Sequence, residues 1–251
     1  MKVEQLTVKI SPSRDEMGRV AAKDIYEKIK ELLSAKDYIN MIFAAAPSQN
    51  DVLNHLLKYD DIEWGRINAF HMDEYIGLAA EDKDKSFGAY LTDHIFGKAP
   101  FRSVNLIDCT QKDLEAECAR YTALLKEYPT DIVIMGIGEN GHIAFNDPPV
   151  ADFEDKALIK PVQLDEICRQ QQVNDGCFAS IDKVPTHALT LTCPALFAGD
   201  NLFCVVPAAT KSAAVARTLN GDISEECPAT ILRRHESAIM YLDDQSSAEL
   251  N

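Results

Sequence analysis

The runs YINMIFAAA (38–46), RINAFHM (66–72), DIVIMG (131–136), NLFCVV (201–206) and SAIMYL (237–242) are apolar almost without interruption, and segments of helical periodicity separate them. A strand that is apolar at nearly every position has both faces buried, and such strands belong to sheets covered on both sides. Further strands are predicted at the opening MKVEQLTVKI, at VNLID (104–108) and at HALTLTC (187–193).

Between them, SRDEMGRVAAKDIYEKIKELLSA carries Ser13 and Glu16 at capping-box spacing and apolar residues recurring every three and four positions, which predicts a helix. A short helix is expected from Ser48 with Asp51 at cap spacing, and others near 86–97, 111–127 and Thr210 to about Asn220, the last ended by Gly221. Strands spaced by helices imply an α/β protein with a Rossmann-like, three-layer fold and a mainly parallel central sheet. The polar, proline-containing stretch 147–187 has no clear period and reads as a lid or binding loop. With 251 residues, 46% of them hydrophobic, and no internal repeat, the chain is expected to form a single domain over 1–251.

The formal net charge of −15 argues against a nucleic-acid partner, which needs a basic face. No apolar run reaches the roughly 20 residues that span a bilayer, and the N-terminus alternates polar with apolar residues, unlike a signal peptide. Seven cysteines, odd in number, without CxxC spacing and mostly in apolar surroundings, fit reduced thiols in the cytoplasm and no metal knuckle. A small ligand or a protein partner is expected instead. If it is anionic, backbone amides and a few cations must hold it against the overall field.

In sheets of this kind ligands bind beyond the carboxyl ends of the strands. AAAPSQND (44–51), HMDEYIGL (71–78) and GIGENGHIAFNDP (136–148) lie at such ends, with the helix start at 210–211 as a fourth. Gly136, Gly138 and Gly141 allow close backbone approach, and His142 is an acid and a base near neutral pH, with Asp147 placed to fix its tautomer. Alone, that loop reads first as a tight turn whose histidine is satisfied by the backbone. In the Asp–Glu pair of HMDEYIGL, a partly buried carboxylate would suit proton abstraction beside a carbonyl or imine, and a helix cap or solvated turn is the plain alternative. His55 and His94 are expected to face solvent, His187 and His235 to adjoin strand starts, and His71 to lie in the core.

Taken together, FHMDEYIGL, DIVIMGIGENGHIAFNDP, HALTLT, PAATKSAAV and HESAIMYLDDQSSAEL resemble the glucosamine-6-phosphate deaminase family, whose relatives include the 6-phosphogluconolactonases. The match runs nearly end to end, and the HIAFN form resembles the deaminases more than the lactonases. The resemblance implies that Asp73 moves a proton between C2 and C1 of an open-chain amino sugar through an enolamine. It implies that His142, supported by Asp147 where the usual pattern has Glu, and by Asn140, handles the ring oxygen. Lys211 would contact a substrate phosphate, and Ala45, Ala46, Ser48, Gln49, Gly136 and Gly138 would line the substrate site. The net reaction would turn an aldose 2-amino sugar phosphate into a ketose phosphate and ammonia, without metal or organic cofactor. Homo-oligomers are common among such proteins.

The chain departs from the pattern in three places. Asn140 stands where the family has Asp, so it accepts a hydrogen bond without contributing charge. The loop AAAPSQND has no glycine and includes Pro47, which lacks an N–H, where the family has a Gly-, Ser- and Thr-rich phosphate cradle. CRQQQVNDGCF (168–178) has no arginine near Asp175 or Gly176, where the family brings one to the phosphate, and Arg169 lies several residues away. The substrate's identity and its phosphate therefore stay open. Two alternatives remain: a sugar-lactone hydrolase in which the histidine activates water, and a non-catalytic sugar sensor. No DNA-binding segment precedes the domain and Asp73 is intact, both of which weigh against the sensor.

Overall fold

The computed structural model describes residues 1–250. In chain order the strands and helices are β1 Lys2–Val3, β2 Leu6–Ile10, α1 Arg14–Ala35, β3 Ile39–Phe43, α2 Asn50–Leu56, β4 Ile67–His71, β5 Asp73–Ile76, α3 Phe87–Leu91, β6 Ser103–Asn105 and α4 Leu114–Glu127. There follow β7 Ile132–Met135, β8 Ile159–Gln163, α5 Glu166–Asn174, β9 His187–Leu191, α6 Cys193–Phe197, β10 Asn201–Val206, α7 Ser212–Asn220 and β11 Ala238–Leu242.

The apolar runs assemble as expected. The main sheet has the order β1-β2-β11-β10-β7-β3-β4-β6, parallel throughout except for the short β1–β2 pair at one edge. Its two faces are both buried: Ile132 and Ile134 of β7 pack with Met17, Ile25 and Val52 of α1 and α2, while Val133 and Met135 pack with Tyr121, Leu196 and Val215 of α4, α6 and α7. Alternation of side chains along each strand divides one apolar run between two cores. Ser13 caps α1 by accepting from the Glu16 N–H, as its spacing predicts.

Three expectations need correction. HALTLTC is not a strand of the parallel sheet: β9 is the centre of a separate antiparallel sheet, β5-β9-β8, in which Asp73 lies opposite Thr190. The stretch 147–187 is not a structureless lid, because it contains β8 and α5. Its pattern is hidden by Pro161 inside an edge strand, and by a helix whose inward face is Cys168, Gln171 and Gln172 instead of a hydrophobic stripe. The helix at 48–51 begins as a 3-10 turn over Pro47–Gln49, and Ser48 accepts from its neighbour Gln49 Nε2 without capping α2. Asp51 instead binds Arg14 Nε at 2.5 Å.

All seven cysteines are free, four of them buried. Among the described residues, no helix is long and apolar enough to cross a membrane.

Candidate active site

The chain brings its site together at the carboxyl ends of neighbouring strands. Residues 44–49 follow β3, 136–147 follow β7, and 207–211 follow β10, and these strands are adjacent in the sheet. Beyond β4 a single residue, Met72, separates the last main-sheet position from Asp73 at the start of β5. One cleft is lined by Ala45, Ala46, Ser48, Gln49, Asp73, Gly136, Gly138 and His142 of the expected residues. Also lining it, and not foreseen from sequence, are Phe87, Phe145, Gln171 and Gln172.

Asp73 is 6% exposed, and burial pushes its carboxyl well above the usual range, with the charge of Glu74 adding to the effect. Glu74 faces elsewhere, accepting the N–H groups of Phe87 and Gly88 at 3.1 and 2.9 Å and so fastening the start of α3. The neighbouring acids have opposite duties because successive strand residues point to opposite faces.

The imidazole of His142 is fixed by its own loop. Its Nδ1 lies 2.8 Å from Asn140 Oδ1 and 2.9 Å from Asp147 Oδ1, and Asn140 donates its amide to the same Asp147 oxygen at 3.0 Å. Two acceptors around Nδ1 assign the proton to that nitrogen and leave Nε2 as the lone-pair nitrogen. Burial raises the Asp147 carboxyl, but the His142 ring and the Asn140 amide outweigh it and hold the group below its usual value. Asp147 thus provides the negative charge that Asn140 lacks.

Glycine is required here for two different reasons. A Cβ on Gly138 would lie 2.0 Å from His142 Cε1, so the backbone passes directly under the ring. Gly141 turns the chain at φ +86°, and a Cβ there would strike Cys227 Sγ at 2.4 Å. Beyond the histidine, Phe145 N–H donates to Thr190 Oγ1 and the Asn146 amide to Leu191 O, tying the loop to β9.

Lys211, expected to line the substrate site, is not among the cleft's lining residues: it is buried, 4% exposed, its Nζ without a hydrogen-bond partner. Burial lowers its pKa, and the carboxylates of Asp175 and Glu139 partly oppose that. The turn before it is held at Ala208 with φ 82°, a strained value for a residue with a Cβ, whose N–H is gripped by both oxygens of buried Asp243 at 3.2 and 3.0 Å. No arginine stands at Asp175 or Gly176, and Arg169 is committed elsewhere, donating to Ile181 O and Val184 O at 2.6 and 3.0 Å. Ser48 Oγ accepts from Gln49 Nε2, which leaves its hydroxyl hydrogen for a ligand. His71 is in the core: its Nε2 accepts the Ile107 N–H at 2.7 Å, and burial lowers its pKa to about 3.

Comparison with known proteins agrees with this geometry. Residues 12–241 match the family model described as glucosamine-6-phosphate isomerases/6-phosphogluconolactonase. A glucosamine-6-phosphate deaminase of Bacillus cereus (strain G9842) is 34% identical over 221 residues, covering 88% of this chain and 82% of the relative. One from Streptococcus equi subsp. zooepidemicus is 32% identical over 191 residues, 76% of this chain and 79% of the relative. Among solved structures, a monomeric glucosamine-6-phosphate deaminase superposes with a TM-score of 0.86 at 29% identity, covering 96% of this chain and 99% of that one. A 6-phosphogluconolactonase from Thermotoga maritima shares the fold, with a TM-score of 0.76 at 20% identity over 95% of this chain and 99% of its own. The chain therefore belongs to the enzyme family of glucosamine-6-phosphate isomerases and 6-phosphogluconolactonases.

Proposed function

We propose that the protein is an amino-sugar-phosphate deaminase/isomerase, converting glucosamine 6-phosphate or a close relative to a ketose phosphate with release of ammonia. The observation that carries this reading is Asp73, a buried carboxylate of raised proton affinity sharing a cleft with an oriented histidine. A lactone hydrolase has no need of a carbon base.

In the closed sugar, His142 Nε2 takes the proton of the anomeric hydroxyl, and Asp147 stabilises the imidazolium formed. The imidazolium returns that proton to the ring oxygen as the ring carbon–oxygen bond breaks. Asp73 then removes the proton from C2; the electron pair forms the C1–C2 double bond while the aldehyde oxygen takes a proton from the substrate's own ammonium, giving an enolamine, and Asp73 delivers its proton to C1. Water adds to the resulting C2 imine, its oxygen becomes the ketone and the nitrogen departs as ammonia. A carboxylate made more basic by burial suits carbon-proton transfer.

The unpartnered ammonium of Lys211 supports an acidic group at the far end of the substrate, because an anion there offsets the burial of the charge. The Ser48 hydroxyl adds a donor, and relatives at 32–34% identity bear the name of the phosphorylated substrate. Seven free cysteines suit a reducing compartment, which supports the cytoplasm as its location. Association into a homo-oligomer is a further part of this reading.

Ammonia release tests it, measured with glucosamine 6-phosphate, galactosamine 6-phosphate, their unphosphorylated parents and a sugar lactone. Ammonia from a phosphorylated sugar is expected. Ammonia only from the unphosphorylated parents would overturn the role of Lys211. Lactone turnover without ammonia would overturn the deaminase reading.

A further inference from the structure

Cys168 is a nucleophilic side chain at the site for which the reaction has no use. It projects from the inward face of α5, fully buried, with its thiol against Asp147. A ring nitrogen of His142, a carboxylate oxygen of Asp147 and Cys168 Sγ all lie within 4.8 Å of one another, and it is Nδ1 that faces Asp147, at 2.9 Å. An imidazole nitrogen, a carboxylate oxygen and a thiol sulfur, from residues that are all buried, make a donor set that suits Zn2+ and is poor for Mg2+ or Ca2+, which favour oxygen alone.

We propose that His142, Asp147 and Cys168 form an inhibitory binding site for Zn2+ or a similar borderline-soft divalent cation. At bond lengths of about 2.0–2.3 Å and tetrahedral angles, neighbouring zinc ligands lie roughly 3.3–3.6 Å apart. The present His142–Asp147 separation of 2.9 Å opens by a few tenths of an ångström to meet this. Asn140 Oδ1, already 2.8 Å from Nδ1, stands beside the trio as a fourth donor. Asp147 also borders a second cavity, lined by Asp165, Glu166 and Arg169 among others. The two acids at that mouth attract a cation and Arg169 opposes them.

The protons balance simply. Cys168 gives its thiol proton to solvent and binds as thiolate, Asp147 binds as carboxylate, and together they neutralise the dication. The Nδ1 lone pair binds the metal, so the ring proton moves to Nε2. With Nε2 protonated and Nδ1 occupied, His142 has no lone pair to accept the anomeric proton. Metal binding is independent of the deaminase reading, whereas the inhibition rests on it.

Titration with Co2+, a spectroscopic stand-in for Zn2+, tests the site on the intact protein. The expected result is a thiolate-to-cobalt charge-transfer band in the near ultraviolet that saturates at one ion per chain and is displaced by Zn2+. In Cys168→Ser, and in Cys168→Ala as the variant that puts no hydroxyl in the core, the band is expected to vanish. The affinity should fall by at least the roughly 10–100-fold that loss of even an outer partner costs. Melting curves of both variants show that they are folded. Absence of the band, or a band unchanged in a folded variant, overturns the site, since six other cysteines would then be the source. A Cys168-dependent band with undiminished ammonia release overturns the inhibition. A Cys168-dependent band in a protein silent on every amino sugar leaves the site standing and removes the deaminase reading.

Discussion

Tyr75 donates its phenolic hydroxyl to Gln172 Oε1 at 2.9 Å, joining β5 to α5 at a residue that lines the cleft. The amide oxygen is thereby taken, and the amide N–H groups are the end left for a ligand. A rotatable side chain has become an oriented donor. Tyr75→Phe preserves the ring packed against Phe87 and Phe145 but frees the amide. A net hydrogen-bond contribution of about 0.5–1.5 kcal/mol corresponds to a KM about two- to tenfold higher, with kcat little changed. Steady-state kinetics on the amino sugar phosphate decides, and a fall in kcat at constant KM would assign the pair to the transition state instead.

The raised pKa of Asp73 has two consequences with defined sign. The reaction needs the ionised carboxylate, so kcat/KM should fall on the acid side at a pH well above the ordinary 3.8 of an Asp. An acid limb near 3.8 would contradict a desolvated base. Ionising a buried group whose folded pKa exceeds its unfolded value destabilises the fold, beginning above the unfolded pKa and complete above the folded one. Asp73→Asn should therefore abolish ammonia release while raising the melting temperature at neutral pH, a gain that disappears near pH 3.8.

Gly138→Ala should be far more damaging than a methyl group suggests. The new carbon would sit 2.0 Å from the imidazole, so either the ring or the backbone under it must shift. Misplacement by about 1 Å costs on the order of 10²-fold in rate. We expect kcat to fall by that order with the fold retained, as judged by circular dichroism.

Lys211→Met removes a buried ammonium that has no partner in the free protein. Its lowered pKa means that the charged form opposes folding at neutral pH, so the variant should melt higher there, with the advantage shrinking as pH rises toward 10.5. A charge-assisted contact of about 1.5–3 kcal/mol corresponds to a KM roughly 10- to 150-fold higher for the phosphorylated sugar. The unphosphorylated parent should be unaffected. Equal losses on both would show that Lys211 does not touch the phosphate.

The main sheet was legible because its strands are buried on both faces and so are written as unbroken apolar runs. Of the second sheet only the central strand β9 was read as a strand, from HALTLTC, and its partners were not. β5 begins with two acids, β8 contains Pro161, and α5 turns glutamines inward, so each violates the pattern that announces its kind. The violations coincide with the cleft, where polar side chains face inward to meet a polar ligand. His142, Asp147 and Asp73 were found from their loop positions and their resemblance to a known motif. Gln171 and Gln172 were missed since a QQQ run on a polar helix resembles a solvated face. Asp243, which fastens the strained turn at Ala208, gave no local signal, because its partner is 35 residues away in sequence.

Asp73 owes its direction to a single choice of pairing, the one that sets it opposite Thr190 on β9. Thr190 also receives the N–H of Phe145, so the strand that aims Asp73 also anchors the histidine loop. A slip of one residue along that ladder would exchange the faces of the strand and present Glu74 to the cleft in place of Asp73. The cleft would still hold a carboxylate, but on a longer side chain, and α3 would have lost its fastening. The spacing of Asp73 and His142 is thus a counting problem solved during folding, with Thr190 as the tooth that keeps the count.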